Sequence, residues 1–342
     1  MRVREVARPA GVVAVVAAVV VAAAFAGGPL LDAQSQSSDA PDAPAYDTNA
    51  LVAEPVEDGG DVTAPESDDS KVVVVDVSHG NGVSEDAIQP LVDALVAAGH
   101  EVRVSGGSGT SSIGAKPGAA FNETLRGADA LVVASPATAY TPNEVAGVEA
   151  FEDAGGRVLL AAEPPATGTS TSTVSIPGLS SGGTTSAGGQ PTNLASAFGV
   201  SFGDGYLYDM AENANNFRAV YGGGDSGVAE GVGDAVLQDA TPVTTGGDAE
   251  AVLSASDVSL SSTRDAGTYA VAARNGNVLA VGDTDFMTSG VATAGDNDAL
   301  LSNVAAFLVT GDKEAGAPSN GGAAGQPGGQ PGGTNGSTFA TV

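Results

Sequence analysis

KVVVVDVSHGNG, residues Lys71 to Gly82, is the stretch whose reading decides the fold. Its valine run predicts a strand buried on both faces, and the small and polar residues from Ser78 to Gly82 predict the turn that ends it. A helical pattern follows directly. Ser84 and Glu85 supply a cap and an early acid, Ile88, Leu91, Val92 and Leu95 recur at helical spacing, and Gly99 closes the segment. Strand, Gly-rich turn and helix together open a parallel α/β sheet. Ligands of such sheets sit outside the carboxyl ends of the strands, so Asp76, Ser78, His79 and Asn81 fall on a prospective ligand rim.

Outward from this unit the alternation continues. Strands are predicted at Glu101–Ser105, Ala130–Ala134 and Arg157–Ala162, with helices at Ala119–Arg126 and from Pro142, a first-turn proline, to Ala154. The expected architecture is a doubly wound, mostly parallel α/β sheet with right-handed connections. From Glu163 to Ala249 the pattern is weak, with a short helix at Asn193–Phe198 and an extended stretch in GVSFGDGYLYD. Strands return at Ala251–Ser254 and Thr268–Ala273. Arg274-Asn275-Gly276-Asn277 signals a C-terminal β-hairpin into Val278–Val281, and a last helix is predicted over Asn297–Val309.

The flanks differ in kind. Arg2, Arg4 and Arg8 precede an apolar run, so residues 1–31 are expected to be an export segment that stays as a single-pass membrane anchor. Cleavage near Ala24-Phe25-Ala26, giving a secreted protein, is the alternative. Residues 32–70, rich in Asp, Pro, Ala, Ser and Glu, are expected to form a disordered linker, and residues 313–342, with repeated GGQPGG, a disordered tail. The folded domain then spans 71–312, outside the cytoplasm.

Charge narrows the partners. With 12 Lys and Arg against 41 Asp and Glu, the net charge of −29 repels nucleic acid and anionic headgroups. Dispersed acids, scarce lysine and small side chains suit a halophile's solvated coat, so any single carboxylate begins as surface. The absence of cysteine removes disulfides, thiolate metal sites and cysteine nucleophiles. The absence of Trp, with aromatics at 4%, argues against a stacking platform.

Several segments together resemble the DUF4350 family in its haloarchaeal form. They are VVVVDVSHGNG, the block from Leu131 to Pro164, NLASAFGVSF, GDTDFM and DNDALLSNVAAFL. The resemblance covers Lys71 to about Asp312. It implies a class I glutamine amidotransferase-like, flavodoxin-like domain related to gliding-motility and auxiliary-transport proteins. Amidotransferase activity is not implied here, because that family's nucleophile is a cysteine. The turn Ala134-Ser135-Pro136 offers Ser135 in its place, without a Gly-x-Ser-x-Gly elbow.

Two constellations remain. Ser78 or Ser135 with His79 as base and Asp76 or Glu163 as orienting acid has the residue types of nucleophilic catalysis, but Ser78 and His79 read first as loop and helix-cap residues. Asp76, Glu163, Asp283 and Asp285 all follow predicted strands, and convergence at one rim would let their oxygens hold a divalent cation. Gly106-Gly107-Ser108-Gly109 lacks phosphate-loop spacing and reads as a loop. The function expected is non-catalytic, with no cofactor beyond that possible cation. A membrane-anchored extracytoplasmic domain would bind a small ligand or a protein partner in a cell-surface or transport assembly. The alternatives are a metal-dependent hydrolase acting on cell-surface material through the four acids, and a structural envelope protein.

Overall fold

The computed structural model describes residues 56–66, 69–81, 87–105, 118–165 and 189–319. The N-terminal export segment, the Ser84 and Glu85 caps, the Gly106–Gly109 loop and most of the Gly/Pro-rich tail lie outside them. Among the described residues no helix is long and apolar enough to cross a membrane.

The chain forms β1 (Val72–Asp76), α1 (Gln89–Ala97), β2 (Glu101–Ser105), α2 (Ala119–Arg126), β3 (Ala130–Ala134), α3 (Pro142–Asp153) and β4 (Arg157–Ala161). After these come α4 (Thr192–Ala197), β5 (Val200–Phe202), β6 (Leu207–Tyr208), β7 (Ala219–Gly224), β8 (Val232–Gln238) and β9 (Val243–Thr245). A long antiparallel pair, β10 (Glu250–Leu260) and β11 (Ala266–Asn275), leads into β12 (Val278–Val281) and α5 (Asn297–Val309).

Ten strands make one sheet in the order β2-β1-β3-β4-β12-β11-β10-β7-β8, with β6 added beside β10. β5 and β9 pair separately. The expectation of a doubly wound, mostly parallel sheet is corrected. Pairing is parallel from β2 through β12 but antiparallel from β12 through β8, so the sheet is mixed and largely antiparallel, with few helices. The reason lies after β4. A parallel neighbour reached by one crossover helix is missing, and the strand that joins β4 is β12, delivered by the β11 hairpin.

The valine-rich strands explain the packing. Val73 and Val75 of β1, Val132 of β3 and Leu159 of β4 face α1 and α5 in one apolar layer. Val74, Leu131, Val133 and Leu160 face α2 and α3 in the other. Alternate side chains thus fill both faces, which is why these strands carry no polar residue between their first and last positions. The inner residues of β3 and β4 have no exposed surface, and they fix the floor on which the strand-end residues stand.

The expected linker is corrected at its C-terminal end. Gly59 N–H donates to Thr293 O (3.0 Å), Gly295 N–H to Glu57 O (2.7 Å) and Thr63 N–H to Ser302 Oγ (2.9 Å), so residues 56–66 lie along the α5 side of the domain. At the other end, Glu314 N–H donates to Ala154 O and the Arg126 guanidinium to Pro318 O. The ordered chain therefore runs past 312.

Candidate functional site

The carboxyl ends of the parallel strands carry two separate polar centres. The first is built on Asp76, the last residue of β1, whose side chain has no exposed surface. Its Oδ1 accepts from Ser78 N–H (2.9 Å), Ser78 Oγ–H (2.5 Å) and Ser105 Oγ–H (3.1 Å). Its Oδ2 accepts from the Tyr140 hydroxyl (2.6 Å) and meets His79 Nδ1 (2.6 Å). Asn81 donates its amide to the Asp76 carbonyl.

His79 is locked on every side. Nε2 stands 3.3 Å from Glu144 Oε2, the ring stacks on Tyr140 at 3.8 Å between centroids, and Phe121 meets it edge-on at 5.6 Å. Glu144 is held in its turn by the N-terminus of α3. Thr141 N–H donates to Glu144 Oε2 (2.7 Å), and Glu144 N–H donates to Thr141 Oγ1 (3.4 Å), a reciprocal capping box in which one carboxylate serves helix and imidazole together. Gly118, at φ 80°, lets Glu144 pass, since a Cβ there would lie 2.7 Å from Glu144 Cγ.

The charges follow from this geometry. Burial pushes the Asp76 carboxyl up, but hydrogen bonds from His79, Ser78 and Tyr140 outweigh it and hold the group below its ordinary value. Burial likewise disfavours a charged His79, yet Asp76 and Glu144 raise it to about 9. Burial opposes ionisation of Glu144, and His79 and Thr141 reverse that, leaving it lowered. Burial and the Asp76 charge push the Tyr140 hydroxyl well above its usual range. At neutral pH this is an imidazolium between two carboxylates.

Nucleophilic catalysis needs one imidazole nitrogen facing the nucleophile and the other facing the orienting acid. Here Ser78 Oγ (3.1 Å) and Asp76 crowd the same Nδ1, while Glu144 takes Nε2. Ser135 does not join them. It follows β3 at φ 49°, donates its N–H to Ala161 O (2.9 Å) and is closed over by Gly189, whose Cβ position would lie 3.2 Å from Ser135 Oγ. Of the strand-end residues Ser78, His79, Asn81 and Ser135, His79 and Ser135 are buried and Asn81 is half-buried, while Ser78 bonds Asp76 and stays exposed.

The second centre brings together three of the four acids expected at one rim. Val281 of β12 pairs with Ala161 of β4, so Asp283 and Glu163, each two residues further on, come side by side. Asp285 joins them from the 3₁₀ turn Asp285–Met287. Asp76 does not: β3 and β4 intervene, and at about 4.8 Å per strand it lies roughly 14 Å from the end of β12. Asp239, after β8, takes the fourth place and pairs with Arg218, whose guanidinium lies 4.0 Å over the Tyr206 ring. Among the described residues no three acidic or histidine side chains converge on one point to hold a metal ion.

Glu163 Oε1 accepts from Thr284 N–H (2.8 Å) and from the Thr284 hydroxyl. Asp283 Oδ1 accepts from Asp285 N–H (2.5 Å), whereas its buried Oδ2 has no partner. Gly282 makes the approach possible, because a Cβ there would collide with the Thr241 carbonyl. Sequence reading missed Glu144, Tyr140 and Asp239. The T-P-N-E pattern at Thr141–Glu144 was a legible capping-box signal for the first. Nothing local marks the other two, which arrive from neighbouring loops.

The comparisons with known proteins agree with this anatomy at the level of family and fold. A family profile described as "Domain of unknown function (DUF4350)" matches residues 91–305. No curated protein matches the chain. Among solved structures, the mmIFT52 N-terminal domain is similar in fold with a TM-score of 0.51 at 14% identity, covering 71% of this chain and 99% of that one.

Proposed function

The chain belongs to the DUF4350 family, and for this member we propose a non-catalytic binding and assembly domain, held outside the cytoplasm by an N-terminal membrane anchor in a cell-surface or transport-associated system. The observation that carries the reading is the closed state of His79: both ring nitrogens face carboxylates and the ring is stacked, leaving neither nitrogen free to move a proton. The finer likeness to class I glutamine amidotransferases belongs to the same proposal. With no cysteine in the chain, what persists of it is a scaffold.

Apolar surface supports binding in place of chemistry. The loop between β6 and β7 exposes Met210 (75%) and Phe217 (43%), and its base is tied by Asp209 N–H to Phe217 O at 2.8 Å. Single exposed apolar side chains are ordinary on a protein surface, and it is the presence of both on one tied loop that marks this one. The N-terminal apolar run supports the anchor.

The test uses the full chain in membranes of its own host, with a photoreactive group at position 210. A discrete cross-linked protein that disappears in Phe217→Glu is the expected result. No cross-link, together with hydrolysis of cell-surface material that is abolished in Asp76→Asn, would replace binding by catalysis.

A further inference from the structure

Independently of that reading, the second carboxylate centre poses a charge problem that needs an occupant. Asp283 is completely buried, one of its oxygens has no partner, and Glu163 stands beside it on the adjacent parallel strand. The charged groups facing the pair are Asp285 from the following turn and Asp239 from the end of β8. Arg218, the nearby cation, is engaged by Asp239 and stacked on Tyr206. Ionising every member would place like charges together in a desolvated pocket.

Two occupants can relieve this, a metal ion or a proton. A hard cation needs several oxygens converging at about 2.0–2.6 Å from one point, and the described side chains do not converge. A proton needs only a carboxyl and a neighbour. We propose that this pair is held together by protons, with Asp283 the neutral member and Glu163 the titrating one, and that loss of the Glu163 proton loosens the Asp283–Thr288 turn from the end of the sheet.

The turn depends on both acids. Glu163 holds Thr284 by backbone and side chain, and Asp283 holds the Asp285 amide. Thr284 O and Asp285 O then take the Met287 and Thr288 amides, and Phe286 and Met287 insert fully into the core beneath. Burial first, then the Asp285 and Asp239 charges, push Glu163 up to about 7 against the Thr284 hydrogen bonds. Burial, Glu163 and Asp285 push Asp283 well above its ordinary value. Both shifts are upward, so the native state keeps protons that the unfolded chain has released. Stability therefore falls as pH rises from the ordinary carboxylate range through about 7, where Glu163 gives up its proton.

The full chain is followed at constant high ionic strength by infrared spectroscopy and by amide exchange corrected for its intrinsic pH dependence. At pH 7 the carbonyl stretch of a protonated carboxylic acid is expected, and it should weaken in Asp283→Asn. Exchange at Asp285, Phe286 and Met287 should quicken from pH 6 to pH 8 in the wild type and stay flat in Glu163→Gln. If Glu163→Gln does not fold, Asp285→Asn serves, and it should move the midpoint to lower pH. An absent protonated band at pH 7, or equal pH dependence in wild type and variant, overturns the proposal. So does a saturable rise in Tm with calcium or magnesium that disappears in Asp283→Asn, which would make the occupant a metal.

Discussion

His79 is a cationic side chain enclosed by the two carboxylates that keep it charged, so removing it leaves Asp76 and Glu144 without their counter-charge. Breaking a buried pair from one side costs about 3–5 kcal/mol, and His79→Gln is expected to lose stability on that scale in denaturant titrations at pH 7. The pH dependence has a definite sign. Because the folded value is raised, to about 9, the stabilisation is complete below the ordinary histidine value of 6.5 and is lost as pH rises through 9. Asp76 and Glu144 are depressed, so their share is lost at the acid end, as pH falls through their lowered values. The gap in Tm between wild type and His79→Gln should therefore be widest near pH 6 and narrow towards pH 10. A gap that stays constant across that range would show His79 to be neutral. In the sequence, Asp76, Ser78 and His79 were legible as strand-end residues because the valine run and the glycines mark where the strand stops. Their partners were not, since Tyr140 and Glu144 come from the far side of β3.

Among the elements, α3 shows how local chemistry serves a distant group. Thr141 caps the helix and positions the carboxylate that reaches His79. Thr141→Ala should cost about 1 kcal/mol for the lost cap, and Thr141→Ser should restore most of it. If the two variants unfold alike in urea, the cap contributes nothing. β12 illustrates the opposite kind of constraint. Gly282→Ala would drive a methyl into the Thr241 carbonyl, and is expected to destabilise by about 1–3 kcal/mol through displacement of the Asp239–Thr241 loop. Helices and apolar strands such as α2, β3 and α5 were legible to the residue, because their periodicity is set by burial on one stripe or on both faces. β7 and β8 were not. Gly222, Gly223 and Gly224 lie within β7, where glycine ordinarily argues against a strand, and close backbone approach rather than side-chain pattern explains them: Cβ atoms at 223 and 224 would strike Gly233 O and Val252 O.

Taken whole, the molecule joins a parallel wing, whose residues repeat a legible pattern, to an antiparallel wing whose strands are joined by turns with weak signals. The pairing of β12 with β4 is a long-range event that no local periodicity encodes, and it is what separates Asp76 from Asp283. The charge of −29 acts on the whole fold, and screening should relieve its self-repulsion. Tm is expected to climb from dilute buffer to molar KCl, and a flat or falling curve would contradict an acidic coat adapted to salt. The central claim, that the strand-end imidazole of His79 is spent on structure, has one direct measurement: the nitrogen-15 spectrum of the two histidines in the native protein. His100 is a built-in comparison, because its ring nitrogens face backbone groups and no carboxylate: Nδ1 lies 3.2 Å from Lys71 N and Nε2 2.9 Å from Pro65 O. At pH 7.5, His79 should show both ring nitrogens protonated and hold them until the pH approaches 9. A neutral His79 at pH 7.5 with one bare nitrogen would contradict the claim and restore it as a candidate base.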